Sequence, residues 1–124
     1  MSFNPKNQYY SKFKNTYNLY ERIDESSKIK KKYPNKIPII CEKNYSRDNP
    51  DIDKNKYLID YDSTIGNFVF AIRKRIKIYP GEAIFLLVGN NMLSNSSTIG
   101  DIYNKYRDID GYLYITYSKE NTFG

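Results

Sequence analysis

No histidine occurs anywhere in the chain. A Ser-His-Asp or Cys-His nucleophile is thereby excluded, together with any imidazole-based metal site. The only cysteine, Cys41, has no partner for an internal disulfide, and its place in the alternating run Ile37-Pro38-Ile39-Ile40-Cys41 is that of a small core residue. No stretch approaches the roughly 18 apolar residues needed to cross a bilayer, and the start Met1-Ser2-Phe3-Asn4-Pro5 is too polar for a signal peptide. Synthesis in the cytosol is expected. Glycine is sparse: Gly81 and Gly89 bracket the apolar run Ala83 to Val88, and neither leads into the Gly-Lys-Ser/Thr ending of a phosphate loop. The carboxylate pairs Asp60/Asp62 and Asp108/Asp110 stand beside turn signals and suit turns and caps better than acid-base work. The chain therefore reads as a non-enzyme, with no cofactor expected.

What is plentiful is tyrosine, 14 in all, with lysine, asparagine and isoleucine, the bias of an AT-rich coding genome. The net charge of +6 favours an acidic partner such as nucleic acid or an anionic membrane, although codon bias inflates the lysine count. A chain of 124 residues that is 40% hydrophobic can bury one modest core without disulfides, so one domain is expected.

The first ten residues are polar and read as a tail. Residues 11–32 read as two helical pieces, with Phe13 and Tyr17 in the first, Leu19, Ile23 and Ile29 in the second, and Asn18 between them. Tyr33-Pro34-Asn35 ends the second. Ile37 to Glu42 reads as a strand with Ile37, Ile39 and Cys41 on one face and Pro38, Ile40 and Glu42 on the other. Pro38 implies that this strand has an open edge or begins there. Residues 44–55 form a loop and Lys56 to Asp60 a second strand, antiparallel to the first. Thr64 caps a helix with Ile65, Phe68, Ile72 and Ile76 buried. Ala83 to Val88 is an interior strand. Ser97 or Thr98 caps a short helix through Ile99, Ile102, Tyr103 and Tyr106, and Tyr112 to Tyr117 is the last strand. Periodicity alone leaves ferredoxin-like and other α+β arrangements open.

Specific runs narrow the choice. Lys28-Ile29-Lys30-Lys31-Lys32-Tyr33-Pro34, Ile37-Pro38-Ile39-Ile40-Cys41-Glu42-Lys43, Asp53-Lys54-Asn55-Lys56-Tyr57-Leu58, Thr64-Ile65-Gly66-Asn67-Phe68, Ile72-Arg73-Lys74-Arg75-Ile76, Thr98-Ile99-Gly100 and Leu113-Tyr114-Ile115-Thr116-Tyr117-Ser118 follow one another without a large insertion. Together they resemble the autophagy ubiquitin-like modifiers of the GABARAP type. The resemblance implies an α+β class, a ubiquitin-like β-grasp fold with two additional N-terminal helices. It divides the chain into a tail (1–10), a domain (11–118) and a conjugation tail (119–124).

The same resemblance implies acyl chemistry performed on the chain by others. An E1-like activating enzyme adenylates the carboxylate of Gly124, an E2-like conjugating enzyme accepts the thioester, and phosphatidylethanolamine takes the acyl group as an amide. A deconjugating cysteine protease is a further partner. Glycine suits a threading tail because it lacks Cβ. Two acyl chains, at ~0.8 kcal/mol per buried methylene, hold a domain on a bilayer without a membrane span. The implied location is a cytoplasmic pool and a lipid-anchored pool on autophagosome or vesicle membranes or, as in plastid-bearing protists with AT-rich genomes, on the outer plastid (apicoplast) membrane.

In relatives a groove accepts short linear motifs, and the matching positions define two pockets. Pocket one comprises Glu25, Ile29, Pro38, Ile40, Lys56, Leu58 and Tyr112 and takes an aromatic anchor; the N-terminal helices partly cover Pro38 and Ile40. Pocket two comprises Tyr57, Ile59, Phe68, Ile72 and Arg75 and takes an aliphatic anchor, while the peptide backbone pairs with a strand edge from Lys54 to Leu58. Asp60, Ser63 and Ala71 depart from the family at pocket two, as Tyr112 does at pocket one. An unconjugated trafficking adaptor shares these grooves. The basic stretches Lys28 to Lys32 and Arg73 to Lys77 suit nucleic acid by charge, but a solvated basic face is the simpler reading, and no nucleic acid is expected.

Overall fold

The computed structural model describes residues 11–45 and 49–119. Its elements are α1 (Lys12–Thr16), α2 (Leu19–Lys32), β1 (Lys36–Lys43), β2 (Lys56–Asp60), α3 (Ile65–Arg73), β3 (Phe85–Val88), β4 (Asn91–Met92), α4 (Ile99–Tyr106) and β5 (Leu113–Ser118). The expected N-terminal tail, and the conjugation tail beyond Lys119 with Gly124, lie outside the described residues.

Side-chain caps place the helices. Ser11 accepts from the Lys14 amide at the start of α1. Asn18 accepts from the Glu21 amide while the Glu21 carboxylate accepts from the Asn18 amide, a reciprocal box that starts α2 where the break between helices is expected. Thr64 and Thr98 cap α3 and α4 by accepting from Asn67 and Asp101. Helix α3 stops at Arg73, one turn sooner than its apolar stripe suggests. The Lys74 and Arg75 amides tighten onto Ala71 and Ile72, and Ile76 reaches the core from the following bend.

The sheet order is β2-β1-β5-β3-β4, with β1 and β5 parallel and every other pair antiparallel. This mixed sheet with helices is the ubiquitin-like α+β fold. Strand β1 begins at Lys36 and lies in the sheet interior, so the open edge expected from Pro38 belongs instead to β2. The Cys41 amide donates to Asn55 and the Asn44 amide to Tyr117, so odd-numbered amides of β1 face β2 and even-numbered ones face β5. Pairing with β5 begins only at Ile39 opposite Leu113. Proline at 38 therefore forfeits no ladder bond. Strand β3 is shorter than the expected Ala83 to Val88 and turns through Gly89, at φ 58°, into β4, which has no sequence pattern of its own.

Two cores result from a strand apolar on both faces. Ile37, Ile39 and Cys41 pack with Phe68, Ile72, Ile99, Leu113 and Ile115 beneath α3 and α4. On the other face Ile40, Tyr112 and Tyr114 pack against Phe13 of α1 and Ile29 of α2. Burial, with a smaller push from Glu42, raises the Cys41 thiol far above its ordinary range, so it is an inert core residue.

Asp110 fastens the helical pair to the sheet. Its carboxylate accepts from Arg22 of α2 at 2.7 Å and from the Tyr114 hydroxyl at 2.5 Å, while its carbonyl accepts from Ser26 at 2.5 Å. Lys14 of α1 reaches Asp108 at 2.6 Å, and Ser11 reaches Glu42 at 2.8 Å. No described helix is long and apolar enough to cross a membrane.

Candidate functional site

The seven residues assigned to pocket one converge between α2 and the β1–β2 hairpin. Pro38 stands opposite Leu58 and Ile40 opposite Lys56 across the ladder, all on the side facing the N-terminal helices. Pro38, Ile40 and Tyr112 are buried and form the floor; Ile29 and Leu58 are half-buried and form the walls. Glu25 and Lys56 close the mouth with a 2.7 Å ion pair. The Tyr112 hydroxyl also donates to Glu25, giving the hydroxyl that departs from the family pattern a partner within the fold.

The electrostatics follow from that closure. Burial alone would raise the Glu25 carboxyl, but the Lys56 ammonium and the Tyr112 hydroxyl outweigh it and hold the group below its usual range. The Tyr112 hydroxyl is pushed up by burial and by its bond to the Glu25 carboxylate. The Lys56 ammonium also lies 5.2 Å from the Phe13 ring centroid and 5.7 Å from that of Tyr17. Lys56 thus lies across the mouth of the pocket, between Glu25 and the two rings. Both members of its ion pair are about two-fifths exposed, so the pair is weak enough to be exchanged for a ligand.

Pocket two is more tightly packed. Phe68 and Ile72 are fully buried in the main core, and the Tyr57 ring meets Phe68 edge-on at 5.2 Å. Ile59 is half-buried beside them. Arg75 lies at the rim, 3.7 Å from Asp53. Lys54 precedes β2 rather than lying within it, and its ammonium is 5.2 Å from the Tyr57 ring centroid. The Tyr57 hydroxyl is buried without a hydrogen-bond partner among the described residues. Asp60 ends β2 in a 2.8 Å pair with Lys36. Among the described residues nothing pairs with the outer edge of β2.

Two clefts flank this face. One of about 580 Å³ opens between α1 and the loop after β1, past Phe13, Tyr17 and Ile52. The other, of about 750 Å³, opens beside Asp60, Tyr61, Ser63 and Asn67. Phe13, which supports both Tyr112 and Lys56, is absent from the seven assigned residues. Its four-residue spacing from Tyr17 signalled a helix face and carried no sign of what that face would meet.

A hairpin whose outer strand pairs only with β1 among the described residues, crossed by helices and carrying an aromatic-lined pocket, invites comparison with known proteins. A family model described as "Autophagy protein Atg8 ubiquitin like" matches residues 21–124. The chain belongs to the Atg8 family. It is 49% identical over 114 residues to autophagy-related protein 8a of Arabidopsis thaliana, covering 92% of this chain and 93% of the relative. It is 47% identical to autophagy-related protein 8 of Mycosarcoma maydis, covering 92% and 97%. The solved Trypanosoma brucei ATG8 superposes with a TM-score of 0.86 at 39% identity, covering 94% of this chain and all of that one. Plasmodium falciparum Atg8, solved in complex with a Plasmodium falciparum Atg3 peptide, superposes with a TM-score of 0.79 at 30% identity, covering 90% and 98%. In this chain Asp60 is exposed at the end of β2, and Ser63 and Ala71, near the start and the end of α3, are both half-buried.

Proposed function

We propose that this Atg8-family chain is a modifier rather than an enzyme. It is joined through Gly124 to phosphatidylethanolamine by E1-like and E2-like enzymes and released by a cysteine protease. Its folded body binds short segments that carry an aromatic and an aliphatic anchor. The observation that carries the binding half is the outer edge of β2, with which nothing pairs among the described residues, beside a pocket floored by Pro38, Ile40 and Tyr112. A segment adding a strand there gains backbone hydrogen bonds for register, while Ile29 and Leu58 grip the aromatic ring. Lys56 leaves Glu25 on binding and covers the ring with its methylene stem. Burying each anchor contributes about 1.5–3 kcal/mol before ordering costs, which sets a micromolar, reversible affinity. Acidic residues flanking the anchors would meet Lys54 and Lys56.

At pocket two, fully packed Phe68 and Ile72 and the small Ser63 and Ala71 make a shallow seat, so the aromatic anchor dominates. The Plasmodium relative solved with an Atg3 peptide supports a segment of the conjugating enzyme as one ligand. The modifier works from a cytosolic pool and from autophagosomal membranes, and imaging of the decorated organelle separates these from a plastid. The test is reconstitution with the activating and conjugating enzymes, ATP and vesicles containing phosphatidylethanolamine. Vesicle-linked product should form with the wild-type chain and fail with Gly124→Ala. Equal product from both would overturn the conjugation half, and unchanged peptide affinity in Leu58→Asp would overturn the binding half.

A further inference from the structure

On the outer face of α3 and along the segment that follows it lies a rim of cations and aromatic rings that, Arg75 apart, take no part in the two pockets described above. Phe70 is 64% exposed on the outer face of α3, with the Lys74 ammonium 4.5 Å from its ring centroid. After the helix the chain alternates, with Ile76 and Ile78 turned to the core and Lys77 and Tyr79 turned out, Tyr79 at 79% exposure. Arg73 fastens the end of α3 to the next turn by donating to the carbonyls of Glu82 at 2.5 Å and Pro80 at 3.3 Å. The helix end and the Tyr79 turn are therefore held side by side.

The charge of the rim is one-sided. From Phe70 to Phe85 the cations are Arg73, Lys74, Arg75 and Lys77, and the only carboxylate is Glu82. That carboxylate is engaged with the Tyr79 amide at 2.9 Å. Arg75 faces Asp53, whereas Lys74 and Lys77 form no ion pair among those of the described residues. Protruding rings beside lysines that have no ion-pair partner among the described residues suit the boundary between an anionic headgroup layer and its acyl chains.

Position points to the same occupant. Phe85, where this segment enters β3, stands opposite Ser118, the last residue of β5. The segment that carries Lys77 and Tyr79 thus enters the sheet beside the last residue of β5. The six residues 119–124 can span at most about 20 Å. Two strands, β1 and β5, separate β2 and its outer edge from β3.

We infer that Phe70, Lys74, Lys77 and Tyr79 form a membrane-contact face that seats the anchored domain on an anionic phospholipid surface and so fixes its orientation. The inference rests on the lipid anchoring proposed above. Its test bypasses the conjugating enzymes, so that failure of enzymatic conjugation and failure of this face are separate results. A Gly124→Cys variant is coupled chemically to maleimide-phosphatidylethanolamine in vesicles; Cys41 is fully buried and stays unmodified. The chain has no tryptophan, so Phe70→Trp supplies a single reporter, and Tyr20→Trp on exposed α2 supplies the control.

On vesicles containing phosphatidylserine, the indole introduced by Phe70→Trp is expected to shift to the blue and to be quenched by brominated acyl chains, while the control stays in water. Lys74→Gln and Lys77→Gln should each lower the docked-to-undocked ratio about fivefold at low salt, corresponding to roughly 1 kcal/mol per cation. Because all these positions are exposed, the substitutions leave the core intact. Complete coupling with an unquenched, water-like reporter would overturn the inference. So would quenching indifferent both to phosphatidylserine and to the two lysines, or capture of an acidic peptide by the rim without any quenching by the bilayer.

Discussion

Replacing Asp110 by asparagine should cost this fold about 3 kcal/mol. The carboxylate is fully buried and its two oxygens have divided duties: one accepts from Arg22 at 2.7 Å and Tyr114 at 2.5 Å, the other from the Tyr112 amide at 2.9 Å. An amide offers one acceptor and one donor. Whichever way it is turned, its NH2 opposes a donor, either the Tyr112 amide or the Arg22 and Tyr114 pair, and the Arg22 charge loses its counterion. Breaking a buried pair from one side costs about 3–5 kcal/mol. The lower end applies because the Arg22 side chain remains 12% exposed and its Nε still donates to the Tyr17 carbonyl at 3.1 Å. For a domain of this length that loss corresponds to roughly 12 °C in melting temperature. Urea titration followed by far-UV circular dichroism measures it, and peptide affinity should fall in parallel because α2 carries Glu25 and Ile29. A loss below about 1 kcal/mol would refute the claim that this carboxylate fastens the helices to the sheet.

Acid should loosen the helical pair before the central strands. Burial raises the Asp108 carboxyl, but Lys14 and the Asp110 amide outweigh it, so the folded value lies below the ordinary one, as it does for Glu25. Each contribution is complete above about pH 5 and is lost as pH falls through the depressed folded value. Hydrogen exchange at stepwise lower pH should show α1 and α2 losing protection ahead of β1 and β5. Gly100→Ala would place a methyl 2.4 Å from the Tyr61 ring, costing about 1–3 kcal/mol in urea unfolding, and Tyr61→Ala in the same chain should restore most of it. Leu58→Asp should weaken peptide binding tenfold to a hundredfold by calorimetry, with the unfolding midpoint nearly unchanged because Leu58 is only half-buried.

The legible parts of this fold are those whose cause is local. Thr64, Thr98 and Asn18 cap the helices they precede, and the stripe Ile65, Phe68 and Ile72 marks the buried face of α3. A first strand apolar on both faces also foretells the covering helices and the groove beside them. The parts that escape depend on distant partners. Strand β4 is two residues held by Leu87 and Val88, and nothing in Asn91-Met92 announces it. Pro38 suggests an edge, but its tolerance depends on where β5 begins to pair, more than seventy residues later. Asp110 reads as a turn residue, and it does sit in the turn closed by the Gly111 amide on Asp108. Its grip on Arg22 becomes visible only when α2 lies across β5. Likewise Glu25 and Lys56 match the family pattern one by one, whereas their closure over the pocket is a property of the folded chain.

The most direct measurement is mass spectrometry of the C-terminal peptide from membrane-bound protein isolated from cells. Gly124 is expected to carry the mass of phosphatidylethanolamine in amide linkage, released by a cysteine protease to a free carboxylate. Membrane-bound protein whose Gly124 carboxylate is free in every molecule would contradict the account.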